Sequence, residues 1–132
     1  MYNCIKEVTQ KMGFNFDNNI PIYLQLVEEI KKYIISGKLK IGERLPSVRE
    51  FANTFKVNPN TMQKALVELE EEKLIYTERT NGKFVTENIK IIEKIKSEYA
   101  NNLVENYFNN MINLGFSKED AINYLKERMS IK

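Results

Sequence analysis

The chain has 132 residues, a net charge of +2, an ordinary hydrophobic content of 42%, no histidine and a single cysteine, Cys4. This length allows one modest domain with an appendage. The missing histidine excludes Ser-His-Asp and Cys-His catalysis and disfavours a zinc site, so we predict neither an enzyme nor a metal or cofactor. Because no apolar run could span a bilayer and no secretory signal is visible, we expect a cytoplasmic protein without a membrane partner.

The first segments of the chain are an arm and a helix. Residues 1–19 have little periodicity and many asparagines, which predicts a flexible N-terminal arm. Met12 is a plausible start, so the sequence leaves open whether residues 1–11 are native. From Pro21 onward, apolar residues recur at helical spacing, and Gly37 suits a helix end. The first helix is therefore predicted between Pro21 and Gly37.

An extended segment and a short helix come next. The segment KLKIGERLP ends at Pro46, and the residue before a proline avoids helical backbone, so Leu45 should be extended. Ser47 and Glu50 have the spacing of a capping box. The second helix should therefore begin at this serine and end near Thr54.

The third helix opens with a polar stretch, KVNPNTMQKAL. Asn58 is a good N-cap, and Pro59 fits a first helical turn because its missing N–H would have no partner there. The predicted buried stripe consists of Met62, Ala65, Leu66 and Leu69. Capping does not explain why the hydrogen-bonding side chains at the same helix mouth all point outward, namely Asn60, Thr61, Gln63 and Lys64.

A β-hairpin is predicted after the third helix. Residues 74–77 and 84–86 are rich in strand-forming side chains. Asn81 and Gly82 lie between them and both tolerate positive φ, which predicts a two-residue turn. The order of helix, helix, turn, helix and hairpin indicates a winged helix-turn-helix domain over residues 20–87.

Residues 88–132 are predicted to form two amphipathic helices, with Gly115 between them. Two helices cannot bury both stripes by themselves, so a second copy of the chain is the simplest partner. The fold class is thus mainly α with a small β-hairpin, a winged domain followed by a C-terminal helical dimerisation hairpin. The predicted dimer interface contains Ile92, Ile95, Tyr99, Leu103, Tyr107, Met111, Ile122 and Leu125.

The charge distribution favours a nucleic-acid partner. Basic residues dominate residues 40–66, whereas residues 68–72 are acidic. In helix-turn-helix proteins the second helix of the motif enters the major groove with its N-terminal residues at the base edges. We expect free N–H groups at the mouth of the third helix to favour phosphate. The acidic end of that helix should point away from DNA.

Residues 21–86 resemble the DNA-binding domain of the GntR family of bacterial transcription regulators. The carrying motifs are PIYLQLVEEIKKYIISGKLKIGERLPSVREFA and VNPNTMQKALVELEEEKLIYTERTNGKFV, in that order. The short helical tail is similar to the YtrA-like subfamily. Members of that subfamily lack a large ligand-binding domain, dimerise through C-terminal helices and often repress genes for ATP-dependent transporters.

The resemblance implies roles for particular residues. Arg49 contacts DNA, Arg44 contacts phosphate, and Ser47 adds a hydrogen bond to the DNA backbone. Gly82 matches the glycine at the wing tip that reaches the minor groove, although Thr80 replaces the first glycine of the family's wing pattern. Together with the side-chain chemistry at the start of the third helix, this predicts the following DNA-binding residues: Arg44, Ser47, Arg49, Asn58, Asn60, Thr61, Gln63, Lys64, Arg79, Gly82 and Lys83, with Lys83 as a compensating phosphate contact.

These observations predict a homodimeric, sequence-specific transcription regulator. It would repress by binding a palindromic DNA operator and could respond to a small-molecule effector that the sequence does not identify. The alternatives are a winged-helix protein-interaction module and a non-specific DNA-binding protein. Each DNA-binding residue also has a structural alternative: Asn58 could act as a cap alone, and Arg44 and Arg49 could pair with Glu43 and Glu50.

Overall fold

A computed structural model describes residues 16–130. Within that range the chain forms five helices and a two-stranded antiparallel sheet. Their bounds are α1 (Ile22–Ile35), α2 (Val48–Phe55), α3 (Pro59–Glu71), β1 (Ile75–Glu78), β2 (Gly82–Val85), α4 (Ile89–Asn113) and α5 (Lys118–Ser130). The predicted element order and the mainly helical class are confirmed. Cys4, Met12 and most of the predicted arm of residues 1–19 lie outside the described range.

The chain divides into two compact units, Met1–Lys94 and Ile95–Lys132. The first contains α1, α2, α3 and the hairpin, and the second contains most of α4 and all of α5. The predicted domain boundaries after residues 19 and 87 stay predictions.

The capping residues define where α2 and α3 begin. Ser47 Oγ accepts a hydrogen bond from the backbone N–H of Glu50 at 3.2 Å. Asn58 Oδ1 accepts one from the backbone N–H of Asn60 at 2.8 Å, and Pro59 occupies the first turn of α3. Both predicted starts are therefore correct, because each cap satisfies a backbone donor that the helix itself cannot pair.

The core of the first unit lies between α1, α2, α3 and the hairpin. Its largest fully buried side chains include Phe51, Leu26, Ile30, Met62, Leu66, Leu69 and Leu74. Burial of one such side chain stabilises a fold by about 1.5–3 kcal/mol, so this core holds α3 firmly on α1. At its edge, Lys31 Nζ lies 2.9 Å from Glu72 Oε1 and joins α1 to the C-terminal end of α3.

The hairpin turn differs from the prediction. Glu78 pairs with Gly82, and Asn81 N–H donates to Glu78 O at 3.3 Å, so residues 79–81 form a three-residue loop. The predicted two-residue Asn81-Gly82 turn is wrong. Gly82 alone of the two has positive φ, at 98°, and a glycine in that position turns the chain at the start of β2.

Residues 43–45 pair with β2 through an isolated antiparallel bridge. Leu45 N–H donates to Lys83 O at 2.8 Å, and Val85 N–H donates to Glu43 O at 2.9 Å. Arg44 is thereby placed opposite Phe84. This pairing agrees with the extended conformation predicted at Leu45, and the start of α2 is consequently held beside the wing.

The second unit contains a helical hairpin. Tyr107 Oη donates to Ala121 O at 2.6 Å, and Ala121 is buried completely. Phe116 packs edge-on against Tyr124. The chain reverses at Gly115, whose φ is 96°. Over the described part of the chain, no helix combines the length and the apolarity that a membrane span requires.

Candidate nucleic-acid interface

The N-terminal end of α3 presents polar side chains to solvent. Asn58, Asn60, Gln63 and Lys64 are exposed, and Thr61 is half-buried. The opposite face of the same turns carries the fully buried Met62 and Ala65, so packing of α3 fixes which side chains point outward. The amide groups of Asn and Gln suit adenine, and Lys suits guanine or phosphate. The exposed set can therefore contact base edges in a groove.

The backbone at this helix mouth does not behave as the sequence suggested. Pro59 has no N–H, and the N–H groups of Asn60, Thr61 and Met62 donate to Asn58 Oδ1 or Asn58 O. The expectation of free N–H groups is therefore wrong, because Asn58 satisfies all three. Recognition at this end must come from side chains and from the positive end of the helix dipole.

Lys64 is positioned by an aromatic ring of α1. Its Nζ lies 4.0 Å from the centroid of the Tyr23 ring, a cation–π geometry. Tyr23 itself is half-buried where α1 packs against α3. The contact restrains a long side chain in the turn that follows the helix mouth, which lowers the entropy lost when the ammonium binds a partner.

A groove lies between the start of α2 and the wing, which we define as β1, β2 and the loop 79–81. Its volume is about 470 Å³. Five of the predicted DNA-binding residues line it, namely Arg44, Ser47, Arg79, Gly82 and Lys83. A Cβ added at Gly82 would lie 3.5 Å from Arg44 Nε, so the Arg44 guanidinium lies next to the wing tip. The fold thus brings together residues separated by more than 30 positions in the sequence.

The arginine side chains of this surface keep their charges available. Arg44, Arg49 and Arg79 are exposed, and none makes a side-chain hydrogen bond or ion pair with a residue in the described range. The alternative that Arg44 and Arg49 pair with Glu43 and Glu50 is not realised. An exposed guanidinium offers a fork of donors that matches a phosphate or a guanine edge.

Lys83 lies differently from these arginines. Its Nζ is 2.9 Å from Thr77 Oγ1 and 3.3 Å from Glu70 Oε1, and its side chain is only 18% exposed. The hydroxyl of Thr77 and the ammonium of Lys83 lower the pKa of Glu70. On the same hairpin, Tyr76 stacks on Phe84, and burial raises the pKa of the Tyr76 phenol.

Three residues at this surface have roles that the sequence did not reveal. The sequence places Tyr23 only within the first helix, Glu70 only at an acidic helix end, and Thr77 only in a strand. The cluster of Glu70, Thr77 and Lys83 depends on the strand register, and a two-residue turn would have put Thr80 opposite Lys83 instead of Thr77. No group of metal-ligating side chains occurs among residues 16–130.

Comparison with known proteins agrees with this geometry. Residues 22–85 match the family model described as bacterial regulatory proteins, gntR family. The uncharacterized HTH-type transcriptional regulator YhcF of Bacillus subtilis is 35% identical over 115 residues, which cover 87% of this chain and 95% of YhcF. The chain belongs to the GntR family. It is therefore a DNA-binding transcription regulator and not an enzyme.

Two further GntR-family relatives are similar to this chain. The HTH-type transcriptional repressor YtrA of Bacillus subtilis is 44% identical over 73 residues, which cover 55% of this chain and 56% of YtrA. A solved structure of a GntR family transcriptional regulator from Listeria monocytogenes is 43% identical, covers 85% of this chain and 98% of its own, and superposes with a TM-score of 0.77. The winged-helix fold is therefore established.

Proposed function

We propose that this GntR regulator is a cytoplasmic homodimeric repressor that binds a palindromic operator. Each α3 would occupy the major groove of one half-site, and each wing would lie over the adjacent minor groove. Because a twofold dimer presents two identical DNA-binding domains related by symmetry, its preferred site is a palindrome. The similarity to YtrA, a repressor, supports repression as the output.

The assignment of the DNA-binding surface rests on one observation: two sets of polar and basic side chains are exposed in the same compact unit. The exposed Asn60, Gln63 and Lys64 lie at the mouth of α3, and the arginines Arg44 and Arg79 lie at the neighbouring groove. The first set supplies sequence choice, and the second supplies phosphate contacts and salt-dependent affinity. We include Arg49, Ser47, Asn58, Thr61 and Gly82 in the same interface.

The dimer is supported by apolar surface on the helical hairpin. Leu103, Leu114 and Met129 are 69%, 74% and 81% exposed, and Ile122 and Leu125 are more than 40% exposed. Such a row of apolar side chains along α4 and α5 needs a partner in water. Of the predicted interface residues, Ile95, Tyr99, Tyr107 and Met111 are half-buried, whereas Ile92 is already buried in its own chain.

We propose genes for transporters as the targets, and the resemblance to the YtrA-like subfamily supports this choice. A small-molecule effector would act by binding the free dimer and the DNA-bound dimer with different affinities. The alternative of a protein-interaction module has less support, because the side chains at the mouth of α3 are polar.

One experiment tests the DNA-binding role directly. Duplexes selected from a random pool by the full-length protein define the operator, and fluorescence anisotropy then measures the affinity of Arg49→Ala for it. We expect the affinity to fall by roughly 5-fold to 150-fold, because a guanidinium contact to a base or phosphate contributes about 1–3 kcal/mol. The circular dichroism spectrum and melting temperature should stay unchanged, since Arg49 is exposed.

Two control variants sharpen the result. Lys32→Ala removes one exposed cation from α1 and should retain nearly full affinity. Arg49→Lys keeps the charge without the forked donors, so it should recover phosphate binding but not a bidentate base contact. If Arg49→Ala binds the selected duplex as tightly as the unchanged protein, the assignment of this surface is wrong.

A further inference from the structure

Three side chains from three elements meet near the C-terminal end of α3. Glu70 lies in the last turn of α3, Thr77 in β1 and Lys83 in β2, where Thr77 and Lys83 are direct cross-strand partners. Lys83 Nζ lies 2.9 Å from Thr77 Oγ1 and 3.3 Å from Glu70 Oε1. The Thr77 hydroxyl donates to the same carboxylate oxygen of Glu70. We call these three residues the wing brace.

Each group in the wing brace has a defined hydrogen-bonding role. Thr77 has one hydroxyl proton, which it donates to Glu70 while its oxygen accepts from Lys83. Because the carboxylate accepts two hydrogen bonds and faces an ammonium, the pKa of Glu70 falls, with the Thr77 hydroxyl as the main cause and burial as an opposing one. The Glu70 carboxyl is therefore ionised at neutral pH, as these hydrogen bonds require.

The position of the wing brace matters for the shape of the DNA-binding surface. The Thr77–Lys83 pair lies next to the Glu78–Gly82 pair that closes the loop 79–81. Glu70 and Asn60 lie on the same helix, separated by a rise of about 15 Å. One rigid helix thus carries the base-reading side chains at one end and is attached to the wing at the other.

We propose that Glu70 and Thr77 are positioning residues for DNA binding, which hold Lys83, and through it the wing, in a fixed orientation relative to α3. This inference rests on the proposed function. A regulator that reads one duplex with a helix and a wing binds more tightly when the two are already aligned, because less ordering is needed on binding. Lys83 then belongs to the brace and is not the phosphate contact that the sequence suggested.

The test compares Glu70→Gln with Glu71→Gln in the full-length protein. Both remove one carboxylate from the same helix, but Glu71 is exposed and its side chain makes no hydrogen bond or ion pair with a residue in the described range. The probe is the duplex that the unchanged protein selects, and anisotropy is measured over a series of salt concentrations. Loss of a negative charge alone strengthens binding to a polyanion.

The wing brace predicts that Glu70→Gln instead weakens DNA binding. We expect about fivefold weaker binding with an unchanged salt slope, since a partly exposed charged contact contributes on that order. Glu71→Gln should bind as tightly as the unchanged protein or more tightly. Thr77→Val removes the bridging hydroxyl without changing charge and should also weaken binding. Circular dichroism melts verify that each variant is folded at the assay temperature.

Lys83→Met distinguishes the brace from a phosphate contact. The brace predicts weaker binding with an unchanged salt slope, and the Glu70→Gln, Lys83→Met double variant should be no weaker than Lys83→Met alone. A salt slope reduced by about one unit in Lys83→Met would overturn the inference. So would a Glu70→Gln variant that binds as tightly as Glu71→Gln. If the unchanged protein selects no duplex at all, the proposed function itself fails.

Discussion

Two lysine residues have a left-handed backbone at the ends of helices. Lys56 follows α2 with φ at 58°, and Lys73 follows α3 with φ at 64°. After α3, Leu74 N–H donates to Leu69 O and Lys73 N–H donates to Glu70 O, each at 3.0 Å. A residue with a Cβ is strained there by about 1 kcal/mol relative to glycine. The turn before α3 and the entry into the wing therefore both contain backbone strain that the surrounding packing offsets.

We predict that Lys73→Gly stabilises the protein. The free energy of unfolding should rise by about 0.5–1 kcal/mol, because glycine adopts positive φ without strain, although its freer unfolded chain opposes part of the gain. Urea denaturation followed by circular dichroism measures the change. Lys73→Ala is the control, since alanine keeps the strain and loses the same charge. An equal gain in both variants would attribute the effect to the lysine side chain and not to the backbone.

At the scale of elements, the hairpin depends on its neighbours. Two strands of four residues are only marginally stable in water by themselves. Here β2 also pairs with residues 43–45, and Ile75 and Val85 are buried in the core. The wing brace adds a connection from the hairpin to α3. The wing thus keeps a defined position although its loop is exposed.

The pH dependence of protein stability should reveal whether the wing brace stabilises the hairpin on α3. The pKa of Glu70 is lowered from its ordinary 4.5, mainly by the Thr77 hydroxyl. A carboxyl group with a lowered folded-state pKa stabilises the fold above its unfolded pKa, and this contribution is lost as the pH falls through the folded pKa. Solvent screens the group, whose side chain is 42% exposed, so we expect only about 0.5 kcal/mol.

The measurement compares the unchanged protein with Glu70→Gln by denaturation across pH. The unchanged protein should be the more stable at neutral pH, and the difference should disappear as the pH falls below the ordinary value of 4.5 and through the lowered pKa of Glu70. Glu71→Gln should show no comparable trend. A difference that persists at acidic pH, where the Glu70 carboxyl is protonated, would mean that the Glu70 charge does not stabilise the hairpin.

At the scale of the whole molecule, most described residues of the second unit are exposed. Ala121 is buried between its helices, but the long apolar side chains of α5 point outward. A monomer with this surface would tend to associate non-specifically, whereas a twofold dimer would bury the same side chains against their copies. The proposed dimer therefore joins two winged domains that each bind half of an operator.

Leu125→Glu should dissociate this dimer. Leu125 is 49% exposed on α5, and burying a carboxylate in an apolar interface carries a large desolvation cost. Analytical ultracentrifugation should show a dimer for the unchanged protein and a monomer for the variant at the same concentration. Asn123→Glu adds the same charge at another exposed position of α5 and should remain dimeric. A dimer that persists in Leu125→Glu would place the interface elsewhere.

Short-range patterns were enough to predict the element order and the family. The Ser47 and Asn58 caps, the apolar spacing of α1 and α3 and the LPSVREFA and VNPNT motifs each depend on residues within a few positions of one another. Local patterns failed at the Asn81-Gly82 turn, because a type I turn with a following glycine and a two-residue turn suit similar sequences. They also failed at the mouth of α3, where Asn58 accepts from all three N–H groups.

Contacts between distant residues were decided by tertiary packing. The Lys64–Tyr23 contact joins positions 41 apart, and the groove of Arg44 and Arg79 forms because residues 43–45 pair with β2. The wing brace needs the strand register and the packing of α3 against β1 together. The order of the predicted elements, the distribution of charge along the chain and the GntR-like motifs indicated a DNA-binding regulator, since local chemistry determines caps, helices and exposed donors. Which charges remain available for DNA, and which are used within the fold, depends on distances that exist only once the chain is folded.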